Sequence, residues 1–80
     1  MRLDKYLKIS RLIKRRTLAK EACDAGRVAV NGRPAKAGLE VKPGDVLTLS
    51  LGAKARKVEI LATPAAVRAE EAEGLYRALD

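Results

Sequence analysis

The stretch Arg11-Leu12-Ile13-Lys14-Arg15-Arg16-Thr17 sets four cations within six residues, directly ahead of a run with helical spacing. A helix N-terminus presents backbone N–H groups that lack intrahelical partners, together with a partial positive charge. Cations gathered there make a concentrated site for phosphate oxygens. Arginine suits the task because its planar fork grips phosphate through two parallel hydrogen bonds and stacks on bases. Lys5 and Lys8 fall one helical turn apart upstream, and Lys20 lies three residues beyond Thr17. With the two helices side by side, Lys5, Lys8, Arg11, Lys14, Arg15, Arg16 and Lys20 form one basic face. The competing reading is a solvated charge run. Position at a helix start and dominance of the overall charge favour the polyanion site.

The charge is unevenly placed. The 80 residues hold 17 Lys plus Arg against 10 Asp plus Glu, for a net charge of +7. Residues 1–36 hold 11 basic and 3 acidic side chains, whereas residues 37–80 hold 6 and 7. The whole excess therefore sits in the first half, which points to a polyanion-binding face rather than to general solubility. Lys54, outside that half, is expected to matter little for such binding.

Other chemistries find little support. With no histidine and one cysteine, Cys23, a zinc site is not expected. A lone cysteine forms no internal disulfide, so the cytoplasm is the expected compartment. No apolar run approaches the length of a membrane-spanning helix, and no secretory leader is expected at the charged N-terminus. No nucleophile, base and orienting acid form a recognisable triad. The chain is expected to be a non-enzymatic monomer with no cofactor. Cys23 reads as a small packed thiol, and Asp4 as a helix-start residue that caps or pairs with a nearby arginine. Tyr6 and Tyr76 are the only aromatics, and both read as core residues on helical faces. The absence of Phe and Trp argues against a base-stacking sheet.

These residues need positioning elements. Leu3, Tyr6, Leu7 and Ser10 recur at helical spacing, with Ile13 one turn on, and predict a first helix over about Leu3 to Ile9. Thr17 is placed to cap a second helix over about Leu18 to Ala25, with Leu18, Ala22 and Ala25 on its buried face and Ala19 beside them. Gly26 ends it. Val28 and Val30 alternate as in a strand, Asn31-Gly32 is a strong hairpin signal, and Arg33 to Lys36 forms the return. Lys42-Pro43-Gly44-Asp45 reads as a turn. Val46 to Leu51 and Lys57 to Leu61 read as further strands. Pro64 suits the start of a final helix with Val67, Ala72, Leu75, Tyr76 and Leu79 on its apolar face. The predicted fold is α+β: a single domain over residues 1–80 with two N-terminal helices packed on a small, mostly antiparallel sheet, plus a C-terminal helix. A chain this short buries only about 60% of its unfolded surface, so its core is thin.

A helix-turn-helix reading of residues 3–25, with DNA as the ligand, is the alternative. Against it, the second helix carries only Lys20, Glu21 and Asp24 as main base-reading side chains, and the cations lie before it rather than along it. Phosphate and shape recognition of folded RNA fits that layout better than major-groove readout.

Five blocks then carry a resemblance: Arg2-Leu3-Asp4-Lys5-Tyr6-Leu7, Lys14-Arg15-Arg16-Thr17-Leu18-Ala19-Lys20-Glu21, Gly26-Arg27-Val28, Val30-Asn31-Gly32 and Val41-Lys42-Pro43-Gly44-Asp45. Their order and spacing over residues 2–51 resemble the RNA-binding domain first defined in small-subunit ribosomal protein S four. The strand and helix expected over 57–80 are similar to those of its short single-domain members, the RqcP-like ribosome-quality-control factors, which are related to heat-shock protein fifteen. The resemblance implies a non-catalytic factor that binds obstructed large ribosomal subunits carrying peptidyl-tRNA. It implies contact with large-subunit rRNA and tRNA, and support for C-terminal alanine tailing by an RqcH-type factor. Heat-shock-type recycling of large subunits is the alternative within the same family. By position, the resemblance marks Arg2 and Arg16 as the foremost RNA contacts.

Overall fold

The structure is a computed structural model that describes residues 1–53, 55–65 and 67–79; Lys54 lies outside the described residues. Two helices, α1 (Leu3–Ile9) and α2 (Arg16–Asp24), precede strands β1 (Val28–Val30), β2 (Arg33–Pro34), β3 (Val46–Ser50) and β4 (Ala55–Ile60). A 3₁₀ segment (Ala69–Leu75) and a last strand, β5 (Tyr76–Ala78), follow. The five strands form one antiparallel sheet in the order β2-β1-β3-β4-β5.

Helix α1 buries Leu3, Tyr6 and Leu7 against Val28, Leu47, Val58 and Ile60 of the sheet. Full burial of such a side chain contributes about 1.5–3 kcal/mol, so this face is the main anchor of the helix. The start of α1 is tied down by the segment before β3. The Leu3 N–H donates to the Leu39 carbonyl at 2.8 Å and the Asp4 N–H to the Ala37 carbonyl at 3.1 Å. These bonds satisfy donors that a helix cannot satisfy internally.

Helix α2 begins at Arg16, two residues earlier than expected, and Thr17 lies inside it. Arg15 takes the cap position without a side-chain cap bond, and the Ala19 N–H donates to its carbonyl at 3.0 Å. The earlier start follows from Arg16, whose side chain is drawn onto Asp4 of α1. The buried face is consequently Ala19, Ala22 and Cys23; Leu18 and Ala25 are exposed. Small side chains on that face let the two helices approach closely. At the other end, the Arg27 N–H reaches the Ala22 carbonyl and the Gly26 N–H the Cys23 carbonyl, with Gly26 at φ +75°. This is a Schellman closure, which requires the left-handed conformation glycine adopts readily.

Asn31 and Gly32 have φ of 51° and 85°, the two-residue I′ geometry that joins twisted strands. The return strand stops at Pro34 rather than reaching Lys36: the Ala35 N–H still donates to the Val28 carbonyl at 3.0 Å, and from there Ala35 and Ala37 turn into the core.

The C-terminal helix is corrected. Residues 61–64 are not helical, Ala69–Leu75 forms a 3₁₀ segment, and Tyr76 to Ala78 pair with Ile60 to Val58 of β4. A continuous helix would leave the β4 edge unpaired. Instead the Leu75 carbonyl turns out of any helical ladder and accepts from the Tyr6 hydroxyl at 2.7 Å and the Leu61 N–H at 2.8 Å. Tyr76, expected on a helical core face, lies half-buried on β5 with the Arg56 guanidinium 5.7 Å from its ring centre.

Candidate nucleic-acid interface

The site begins with a buried carboxylate. Asp4 lies on the first turn of α1 with its side chain 5% exposed. Its oxygens accept from Arg2 Nε at 3.2 Å, from Arg16 Nε at 3.2 Å and from the Lys5 backbone N–H at 2.8 Å. Burial pushes the carboxyl pKa up, but the hydrogen bonds from Arg16, Arg2 and Lys5 outweigh it and hold it below its ordinary value. Asp4 therefore stays ionised and fixes two arginines from separate elements. Each arginine side chain is about half exposed, 51% for Arg2 and 48% for Arg16, so part of each guanidinium faces outward. Held by one edge, an arginine still offers other N–H groups to a phosphate.

A second group lies at the far end of α1. Lys8, Arg11, Lys14 and Arg15 line one cleft of about 600 Å³, with Ile9 and Val67. Arg11 has φ of 62° directly after the helix, the left-handed position usually given to glycine. The Arg11 N–H donates to the Lys8 carbonyl at 3.0 Å and the Ile13 N–H to the Leu7 carbonyl at 3.1 Å, so the reversal is well anchored. It ends α1 sharply and brings Lys14 and Arg15 back beside Lys8. Among the described residues, none of the four cations has an ion-pair partner.

The expected basic face thus divides into parts. Lys8, Arg11, Lys14 and Arg15 meet in the cleft, and Arg2 and Arg16 meet on Asp4. Lys5 is half-buried and Lys20 exposed, and neither lines the cleft. Arg16 is paired with a carboxylate rather than free, and that pairing orients it. The place of Val67 in the cleft wall had no signal in the sequence, because only the path of the C-terminal segment brings it there. Gly38 lies under Arg2: a Cβ there would stand 3.7 Å from Arg2 Nη2.

The remaining candidates are structural. Cys23 is buried; desolvation, then Asp4 and Asp24, push its thiol pKa up, away from the reactive thiolate. Burial also raises the Tyr6 hydroxyl pKa. Among the described residues no cluster of potential metal ligands occurs, and no helix is long and apolar enough to cross a membrane.

Comparison with known proteins identifies the family. The sequence profile of the S4 domain matches residues 1–47, the part that carries both cation groups. The chain belongs to the S4 domain family. It is 60% identical over 76 residues to the RQC P-site tRNA stabilizing factor of Halalkalibacterium halodurans, covering 95% of this chain and 86% of that protein. The protein of the same name from Bacillus subtilis is 53% identical over 79 residues, covering 99% of this chain and 92% of that one. The solved trimeric structure of heat shock protein 15 from Vibrio cholerae superposes with a TM-score of 0.90 at 37% identity, over 98% of this chain and 80% of that chain. As an S4 domain protein with these relatives, the chain is an RNA-binding protein linked to ribosome quality control.

Proposed function

We propose that this chain is a non-catalytic RNA clamp that binds obstructed large ribosomal subunits carrying peptidyl-tRNA. It touches large-subunit rRNA and the tRNA, and supports C-terminal alanine tailing of stalled chains by an RqcH-type factor. It works in the cytoplasm as a monomer, without a cofactor. Arg2, Lys5, Lys8, Arg11, Lys14, Arg15, Arg16 and Lys20 supply the RNA-facing charge. The observation that carries this reading is the cleft of four cations, free of carboxylate partners among the described residues, beside two arginines fixed on Asp4. The names and high identity of the relatives support the quality-control setting.

The clamp acts by binding one arrangement of tRNA on the subunit more tightly than another, since only a difference in affinity shifts such an equilibrium. With about five phosphates neutralised, log affinity falls with log salt at a slope of roughly −3.5 to −4.5. The test is co-sedimentation of the purified chain with large subunits that retain peptidyl-tRNA. Arg16→Glu, folded by circular dichroism, is expected to lose association, and undiminished association would overturn the reading.

The similarity to the heat shock protein 15 structure favours one second reading, recycling of large subunits without tailing. Deleting the gene separates the two. Loss of alanine tails supports the first reading, whereas intact tails with slow subunit recovery support the second.

A further inference from the structure

Between the β1–β2 hairpin and the segment that follows it lies a cleft of about 740 Å³. Arg33, Lys36 and Lys42 bring cations to it, and Leu39 exposes an apolar side chain on its wall. Two carboxylates also reach this cleft, and both are engaged. Glu40 meets the N-terminal ammonium at 2.6 Å. Asp45 is buried and accepts from the Asn31 amide at 3.2 Å and the Lys42 backbone N–H at 3.0 Å, with the Lys42 ammonium 3.6 Å away. Arg33 and Lys36 are exposed and have no carboxylate partner among the described residues. The Lys42 side chain is 81% exposed, and an exposed pair of that kind holds a lysine weakly, so it remains available to an incoming anion.

The position of this cleft gives it meaning. Residues 37–40 are fastened to the start of α1 through the Leu3 and Asp4 amides and an antiparallel bridge between Arg2 and Glu40. The cation cleft lies at the other end of the helix, against Lys8, Ile9 and Arg11. A seven-residue helix is about 10 Å long, so the two clefts are separated by at least that order. Asp4 joins them. On one side it holds Arg2, which lies over Gly38 next to the hairpin cleft; on the other it holds Arg16, the chain neighbour of Arg15 in the cation cleft.

On the RNA-binding reading given above, we propose that the cleft lined by Arg33, Lys36 and Lys42 is a second grip for RNA phosphodiester backbone, at the opposite end of α1 from the first. The backbone it takes comes either from a continuation of the RNA held at the cation cleft or from a second RNA. The folded β1–β2 hairpin keeps Arg33 in place, and Leu39 provides apolar contact for a ribose.

The experiment uses the full chain and two short RNA hairpins with different fluorophores. In Arg33→Glu/Lys36→Glu, checked for folding by circular dichroism and thermal melting, two phosphate contacts are removed. If both grips hold one RNA, the log–log salt slope for a single hairpin becomes shallower by roughly 1.4 to 1.8. If the second grip takes a separate RNA, wild-type protein brings the two hairpins within energy-transfer range, and the double variant abolishes that transfer while keeping single-hairpin affinity. Either result supports the proposal and names the source. Should the reversal unfold the chain, Arg33→Gln/Lys36→Gln is read in the same assays. A folded variant with unchanged slope and unchanged transfer overturns the second grip. Arg11→Glu/Arg15→Glu serves as reference: if it abolishes binding while the 33/36 variant does nothing, only the second grip falls. If neither variant matters, the RNA-binding reading falls with it.

Discussion

The Asp4 carboxylate and the Arg16 guanidinium meet at 3.2 Å across twelve positions of sequence, and this contact ties the first turn of α1 to the first turn of α2. Arg2 shares the same carboxylate. One buried anion therefore sets the direction of two cations, while each arginine keeps about half of its side chain exposed to meet a phosphate.

Replacing that anion tests its role. Asp4→Asn keeps the shape and removes the charge. Charge-assisted hydrogen bonds of this kind contribute about 1.5–3 kcal/mol, and a loss of that order is expected in urea unfolding at neutral pH. RNA affinity is expected to fall as well, since Arg2 and Arg16 lose their fixed direction. Unchanged stability and unchanged affinity would show that the arginines hold their places without Asp4.

The same residue predicts an acid limb. Its folded pKa is lowered from 3.8, so its contribution is complete above that value and is lost as pH falls through the lower folded value. Asp45 behaves alike: burial raises its pKa, but Asn31 and Lys42 outweigh that and lower it. Stability is expected to stay flat from neutral pH down to about 5 and to decline below about 4. Asp4→Asn should flatten part of the decline and leave the Asp45 share, measured by urea unfolding across pH.

Arg11 occupies a left-handed position at a cost of about 1–2 kcal/mol for a residue with a side chain. Arg11→Gly removes that strain, while glycine's greater freedom in the unfolded chain takes some of the gain back. Stability equal to wild type or up to about 1 kcal/mol higher is expected, together with weaker RNA binding and a salt slope reduced by about 0.7 to 0.9. Stability and binding moving in opposite directions would mark Arg11 as a residue kept for contact rather than folding. A clear loss of stability would contradict the strain.

The Tyr6 hydroxyl donates to the Leu75 carbonyl at 2.7 Å, linking α1 to the end of the chain. Tyr6→Phe leaves the ring in the core and deletes one buried hydrogen bond, for a loss of about 1 kcal/mol. Hydrogen exchange should rise first at Tyr76, Arg77 and Ala78, because β5 is a short edge strand seated by this bond. Uniform exchange across the sheet would show that β5 is held by β4 alone.

Much of the fold was legible because its signals are local. Leu3, Tyr6 and Leu7 announce α1 by their spacing, and the helix occupies the residues expected. Asn31-Gly32 and Pro43-Gly44 specify their turns through the backbone angles those residues tolerate, with Gly44 at φ +97° and the Asp45 N–H on the Lys42 carbonyl. The start of α2 was misplaced because Thr17 is a good cap by type, and the partner that draws Arg16 into the helix lies on another element.

By itself, the sequence determined the concentration of charge in the first half, the two helices, the hairpin and the strands, because composition, periodicity and turn chemistry act over a few residues. The tertiary structure alone decided that the C-terminal segment ends as a strand. Ala72, Leu75 and Leu79 fit a helical stripe, but the open edge of β4 and the hydroxyl of Tyr6, 69 positions away, required backbone partners that a helix would have kept to itself. It also decided which cations meet, since the approach of α1, α2 and residues 36–42 depends on packing between residues far apart in the chain.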